Sequence, residues 1–122
     1  MEKVINDYIE AYNSFNVPGM TEHLSDDVVF QNVSGGESIL ELTGKEAFKA
    51  QAEQAKNLFK SRKQTIEDVQ IVGDTAEVTV DYLGVLAQDL PNGLSAGDTI
   101  QLSGKSIFHF EDGKITKLRD ES

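Results

Sequence analysis

The sequence has 122 residues, of which 39% are hydrophobic and 26% are charged, and it contains no cysteine. This length and composition predict a single globular domain over residues 1–122, with one hydrophobic core and neither a disulfide nor a thiolate metal site. The formal net charge of -10 argues against nucleic acid and an anionic membrane surface as partners, because both would repel the chain.

The N-terminal segment predicts an amphipathic helix of about four turns. Its apolar residues recur at helical spacing: Val4, Ile5, Tyr8, Ile9, Tyr12 and Phe15. Acidic and polar residues interrupt this stripe, so we expect neither a signal peptide nor a membrane span, and a cytoplasmic location is the default. The letters PGMTEHL predict a short second helix with Pro18 in its first turn, and DDVVFQNV predicts the first strand.

A third helix is predicted after an irregular connection that begins at Gly35-Gly36. Thr43 and Glu46 have the spacing of a capping box, which would start this helix. Its buried face would consist of Phe48, Ala52, Ala55, Leu58 and Phe59.

From Gln64 onward the residues alternate with a period of two, which is typical of strands. Turns are predicted at Gly73-Asp74, Pro91-Asn92-Gly93 and Asp112-Gly113. The four strands would cover roughly residues 64–72, 75–88, 97–110 and 114–121. Helices followed by an antiparallel meander predict an α+β domain with the helices on one face of the sheet. Since two of these strands are unusually long, the sheet must twist, and curled around a helix it would enclose a cone.

Three stretches of the sequence carry a family pattern: YIEAYNSFNVPGMTEHLSDDVVFQN, TGKEAF and IFHFEDGKITKLRD. Together they resemble the nuclear transport factor 2-like superfamily, in particular its SnoaL-like members, which include polyketide cyclases. The resemblance implies a cone-shaped α+β barrel, in which a curved antiparallel or mixed sheet wraps around the N-terminal helices. It also implies a cavity for a small hydrophobic organic molecule, no cofactor, and a homodimer formed through the outer face of the sheet.

In the steroid-isomerase branch of this superfamily, a first-helix tyrosine and a second acid hold the developing oxyanion, and an aspartate at the end of the first strand moves the proton. The tyrosine position matches Tyr8, the second acid position most nearly matches Ser106, and the base position matches Asn32. An amide neither gains nor loses a proton near neutral pH, so Asn32 cannot be a general base. Steroid isomerisation by this route is therefore not expected.

Strand alternation directs attention to Asp120, near the end of the last strand. It predicts two inward-facing sets in the C-terminal hairpin: Ser106, Phe108 and Phe110 on one strand, and Thr116, Leu118 and Asp120 on the other. SnoaL-like cyclases are similar in using an acid near the end of this strand. A carboxylate in an apolar pocket resists ionisation and can take a proton from the carbon next to a carbonyl. Tyr8 would then donate a hydrogen bond to the enolate oxygen.

The sequence thus suggests a cofactor-free isomerase, cyclase or related lyase, with Asp120 as acid/base and Tyr8 as oxyanion donor. The other residues expected to line the cavity are Tyr12, Phe30, Asn32, Val80, Tyr82, Ser106, Phe108 and Leu118. The alternative is a non-catalytic ligand-binding or dimerisation module whose pocket is filled by side chains. Asp120 would then belong to a solvated tail or a surface ion pair. Tyr8 and Tyr12 would then be core residues. No metal site is expected, because the two histidines lie on separate elements without ligand spacing.

Overall fold

The computed structural model describes residues 1–91 and 93–122. Its helices are α1 (Glu2–Asn13), α2 (Val17–Thr21) and α3 (Lys45–Lys56). Its strands are β1 (Leu24–Ser34), β2 (Glu37–Thr43), β3 (Phe59–Val72), β4 (Thr75–Leu86), β5 (Thr99–Glu111) and β6 (Lys114–Glu121). Within these residues, none of the helices has the length and apolar character needed to cross a membrane.

The strands form one six-stranded sheet with the order β2-β1-β6-β5-β4-β3. β1 and β6 run parallel, and the other neighbouring strands are antiparallel. The sheet curls around the helices without closing, because β2 and β3 remain as its two edges. The predicted α+β class with a curved mixed sheet and N-terminal helices is confirmed.

The core lies between the inner face of this sheet and the apolar sides of the helices. The helical spacing predicted the α1 contribution, since Ile5, Tyr8 and Ile9 are buried. Phe108 and Leu118, which are neighbours across β5 and β6, meet them with no exposed surface. Burying apolar side chains of this size stabilises the fold by roughly 1.5–3 kcal/mol each.

The segment after Gly35-Gly36 is a strand, not the irregular connection that the sequence predicted. β2 is an edge strand whose residues are mostly exposed, and only Leu40 and Leu42 pack partly against the core. This alternating run is too short to predict a strand from the sequence. The predicted capping box is also wrong. Thr43 still pairs with Val29 as the last residue of β2, and Gly44 is the N-cap of α3 with a φ of +99° and no side-chain cap.

The end of α2 and the start of β3 also differ from the prediction. α2 ends at Thr21, since Leu24 already begins β1. β3 begins at Phe59, well before Gln64, so Leu58 and Phe59 do not belong to the third helix. The predicted turn around Asn92 includes a residue that lies outside the described part of the chain.

A β-bulge interrupts the C-terminal hairpin. His109 pairs with Lys117 and Phe110 pairs with Ile115, so Thr116 is an extra residue on β6. The predicted inward position of Thr116 is therefore wrong, and the wholly buried Ile115 takes it. Alternation resumes after the bulge, which leaves Leu118 and Asp120 on the inner face.

Candidate active site

A cavity of about 350 Å³ lies between the helices and the inner face of the sheet. Eight of the ten residues that the sequence proposed for a site line this cavity: Tyr8, Tyr12, Phe30, Asn32, Val80, Tyr82, Ser106 and Asp120. Phe108 and Leu118 do not line it, and both are wholly buried beneath it. The ring of Tyr8 packs edge-on against Phe108 at a centroid distance of 5.8 Å, which covers this deeper layer.

Asp120 lies in a polar row that crosses three strands of the sheet. It pairs in register with Asn32 on β1 and with Ser106 on β5. The Ser106 hydroxyl donates a hydrogen bond of 2.7 Å to Oδ1 of Asp120. Arg119 has the opposite parity, and its Nε lies 2.7 Å from a carboxylate oxygen of Glu121 instead. In the described residues, Asp120 therefore belongs to the cavity wall and forms no ion pair with its neighbour.

The environment of Asp120 favours its protonated form. Burial raises the pKa of this carboxyl from 3.8 to about 6, and the hydrogen bond from Ser106 lowers it in part. No ion pair among the described residues includes Asp120. A carboxyl that titrates near neutral pH and faces a cavity can both accept and return a proton.

Tyr8 is the second polar group that the sequence singled out. It is only 5% exposed, and its ring also packs against Phe48. Burial raises the pKa of Tyr8 well above its ordinary value, the negative charge of Asp120 raises it further, and the positive charge of Arg62 opposes both. Because its hydroxyl stays protonated, Tyr8 can donate a hydrogen bond to a ligand oxygen.

A second polar cluster at the cavity was only partly predicted. The Tyr12 hydroxyl lies 3.1 Å from the Tyr82 hydroxyl, and burial is the main reason that the pKa values of both phenols are raised. Arg62 stands over the ring of Tyr12, with 3.7 Å between the guanidinium carbon and the ring centroid. Sequence reasoning missed Arg62 because it placed the start of the strand at Gln64. Extending the period-two alternation by one step would have put Arg62 on the same inner face.

The histidines lie elsewhere. His23 Nε2 is 3.2 Å from a carboxylate oxygen of Asp7, and His109 Nδ1 is 3.2 Å from the Thr75 hydroxyl. Over residues 1–91 and 93–122, no three side chains of His, Cys, Asp or Glu come together as a metal site would require. No residue is therefore assigned to a metal.

The sequence and structure comparisons agree with this architecture. Residues 5–118 match the family model of the SnoaL-like domain, which spans most of the chain. This protein belongs to the SnoaL-like family. A comparison of the sequence with curated proteins gives no match.

Solved structures similar to this SnoaL-like protein include an uncharacterised cystatin-fold protein from Novosphingobium aromaticivorans, with 18% identity and a TM-score of 0.79 over 97% of this chain and 94% of that chain. A protein from Pseudomonas putida, proposed to be a polyketide cyclase, has 24% identity and a TM-score of 0.74 over 96% and 86% of the two chains. An LEH-like epoxide hydrolase from M. tuberculosis has 16% identity and a TM-score of 0.77 over 98% and 79%. At these identities the similarity shows the fold alone.

Proposed function

We propose that this SnoaL-like protein is a cofactor-independent acid/base enzyme that isomerises or cyclises a small hydrophobic carbonyl compound. The observation that carries the proposal is the carboxyl of Asp120, which faces the cavity, accepts a hydrogen bond from Ser106 and has no cationic partner among the described residues. Such a carboxylate is free to act on a ligand, because no ion pair stabilises its charged form.

In the proposed reaction, Asp120 takes a proton from the carbon next to a carbonyl, and the electron pair of that C–H bond forms an enolate. The Tyr8 hydroxyl donates a hydrogen bond to the enolate oxygen. Asp120 then returns the proton to a different carbon, which gives an isomer. In a cyclisation, the enolate carbon instead bonds to a second carbonyl carbon of the same molecule, and the alkoxide formed there takes the proton.

Proton exchange tests this proposal. The protein is incubated in D2O with a panel of hydrophobic ketones and lactones, and loss of the α-proton signal is followed by NMR. We expect exchange above the buffer rate, a fall of roughly 10²–10⁴-fold for Asp120→Asn, and a smaller fall for Tyr8→Phe. Asp112→Asn, a change in the exposed β5–β6 turn, serves as the matched control and should exchange at the wild-type rate.

The alternative is a non-catalytic ligand-binding module, and Asn32 favours it, because the acid of the steroid-isomerase branch is absent from that position. The same panel distinguishes the two functions by thermal shift, since a bound compound raises the melting temperature by mass action. Compounds that stabilise the protein without any Asp120-dependent exchange would contradict catalysis and support a binding module.

The homodimer and the cytoplasmic location remain proposals. The outer face of the sheet supports dimerisation, because Leu83 on β4 points away from the cavity-lining Tyr82 and is 48% exposed. A homodimer formed through this face would bury Leu83 in its interface.

A further inference from the structure

Arg62 lines the cavity, but the proposed acid/base chemistry does not involve it. It lies on β3 and is 5% exposed. Its Nε donates a hydrogen bond of 2.9 Å to the Tyr12 carbonyl oxygen near the C-terminal end of α1. The guanidinium carbon also lies 3.7 Å from the ring centroid of Tyr12 and 4.7 Å from that of Phe15.

These contacts leave the charge of Arg62 without an anion. No ion pair among the described residues includes Arg62. Its Nη2 contacts only the sulfur of Met20, at 3.9 Å, and its Nη1 has no protein acceptor in the described part of the chain. A guanidinium carries five N–H donors, and a buried cation is costly unless it is paired and hydrogen-bonded. The Tyr12 carbonyl and the rings of Tyr12 and Phe15 offset part of the free-energy cost of burying this cation.

Arg62 shares the cavity wall with Tyr12 and Tyr82, and its positive charge lowers the pKa of both hydroxyls against the effect of burial. The Tyr12 hydroxyl donates to the Tyr82 hydroxyl, so the proton of Tyr82 is left for a further acceptor. This group is separate from the Asp120 carboxyl, whose contact is Ser106. Tyr8 interacts electrostatically with both charged groups, since Asp120 raises its pKa and Arg62 lowers it.

We propose that Arg62, together with the Tyr12–Tyr82 hydroxyl pair, binds an anionic oxygen group of the ligand. The ligand is then a small organic anion with an apolar body, such as a keto acid, whose anionic end lies at Arg62 and whose reactive carbon lies near Asp120. This inference rests on the proposed function, because it names the substrate class of the same cavity. A guanidinium suits this task, since its parallel N–H groups match the two oxygens of a carboxylate.

A pair of probes that differ only in charge tests the inference. 2-Naphthylacetate and the neutral 2-naphthylacetamide are titrated into the wild-type protein at pH 7.5 by calorimetry. We expect the carboxylate to bind at least about 10-fold more tightly than the amide. An amide that binds equally well or better would overturn the inference, and so would the absence of binding by both probes. This comparison needs no variant, so it holds even if a change at Arg62 prevents folding.

Variants then assign the preference to Arg62. Arg62→Met should abolish the preference for the carboxylate, and Arg62→Lys should retain part of it, because the charge remains without the planar geometry. Arg119→Met removes an arginine that does not line the cavity, and it should keep the full preference. A folded Arg62→Met protein with an unchanged preference would contradict the assignment.

Asp120→Asn separates this inference from the proposed function. It should abolish α-proton exchange while leaving the preference for the carboxylate in place. If no compound exchanges, with keto acids added to the panel, but the Arg62-dependent preference is found, catalysis fails and the anion site stands. If exchange depends on Asp120 but the two probes bind equally, the anion site fails and the acid/base proposal stands.

Discussion

At the scale of single residues, burial in the folded protein raises the pKa of Asp120. The same carboxyl has an ordinary pKa of 3.8 when it is exposed and a pKa of about 6 in the folded protein. The group thus binds its proton more tightly in the folded state. Folding is consequently favoured while the proton is bound, and this advantage is lost as the pH rises from about 4 to about 6.

This shift predicts that Asp120→Asn stabilises the protein at neutral pH. The pKa difference corresponds to about 3 kcal/mol as an upper bound, because the side chain of Asp120 is half-buried and keeps some contact with solvent. The amide avoids the poorly solvated charge while still accepting the Ser106 hydrogen bond. We expect the variant to have the larger free energy of unfolding at pH 7.5, by on the order of 1–3 kcal/mol, and the difference to shrink below pH 4. Urea unfolding across this pH range measures it.

Asp112→Asn is the control for that comparison, because it removes an exposed acid. Its stability should stay within about 0.5 kcal/mol of the wild type at pH 7.5. A wild-type protein that is more stable than Asp120→Asn at pH 7.5 would contradict the burial of a poorly stabilised charge at residue 120.

At the scale of the elements, the contact between β5 and β6 holds Asp120 in place. The end of β6 crosses β5 so closely that a Cβ at Gly104 would overlap the backbone oxygen of Glu121. Glu121 directly follows Asp120, so any side chain at residue 104 must push the strand that carries the carboxyl. Gly104 is therefore a site of close backbone approach rather than a turn residue.

We accordingly expect Gly104→Ala to lower the free energy of unfolding by about 1–3 kcal/mol. The same variant should also reduce α-proton exchange, because Asp120 moves with the end of β6. Gln101→Ala, an exposed change on the same strand, is the control and should alter stability by less than about 0.5 kcal/mol. A Gly104→Ala protein that is as stable and active as this control would refute the close approach.

The elements also show why some of the fold could be predicted from the sequence and some could not. Helical spacing predicted α1 and strand alternation predicted β4 and β5, because each of them buries one face. β2 was missed because only Leu40 and Leu42 of this edge strand pack partly against the core, which is too short an alternating run to predict a strand. The bulge at Thr116 was missed because alternation assumes unbroken pairing, and this assumption failed there without changing the predicted face of Asp120.

At the scale of the whole molecule, the cavity forms because a curled, unclosed sheet meets the helices along part of its inner face. Individual side-chain positions could be predicted from strand parity, but the depth of the cavity could not. Phe108 has the same strand parity as Ser106, but the Tyr8 ring covers it and separates it from the cavity. Whether an inward-facing side chain reaches the cavity therefore depends on tertiary packing, which strand parity does not predict. Arg62 was missed because the strand was predicted to begin at Gln64, whereas β3 begins at Phe59.

The outer face of the same sheet predicts a homodimer. Sedimentation velocity at micromolar concentration should give the mass of two chains, and Leu83→Glu should shift it towards one, because a buried charge destabilises an apolar interface. Ile39→Glu on the edge strand β2 is the control, as Ile39 is even more exposed, at 63%, but lies on a different part of the sheet. A wild-type protein that sediments only as a monomer would refute dimerisation.

The proposed chemistry requires a carboxyl at Asp120 that faces the cavity and titrates near neutral pH. NMR titration of the side-chain carboxyl carbons in 13C-labelled protein measures this pKa, and Asp120→Asn assigns the signal. We expect the Asp120 signal to titrate with a midpoint near pH 6. A midpoint at the ordinary value near pH 4, as expected for a carboxyl in water, would rule out Asp120 as a base whose pKa is raised by burial.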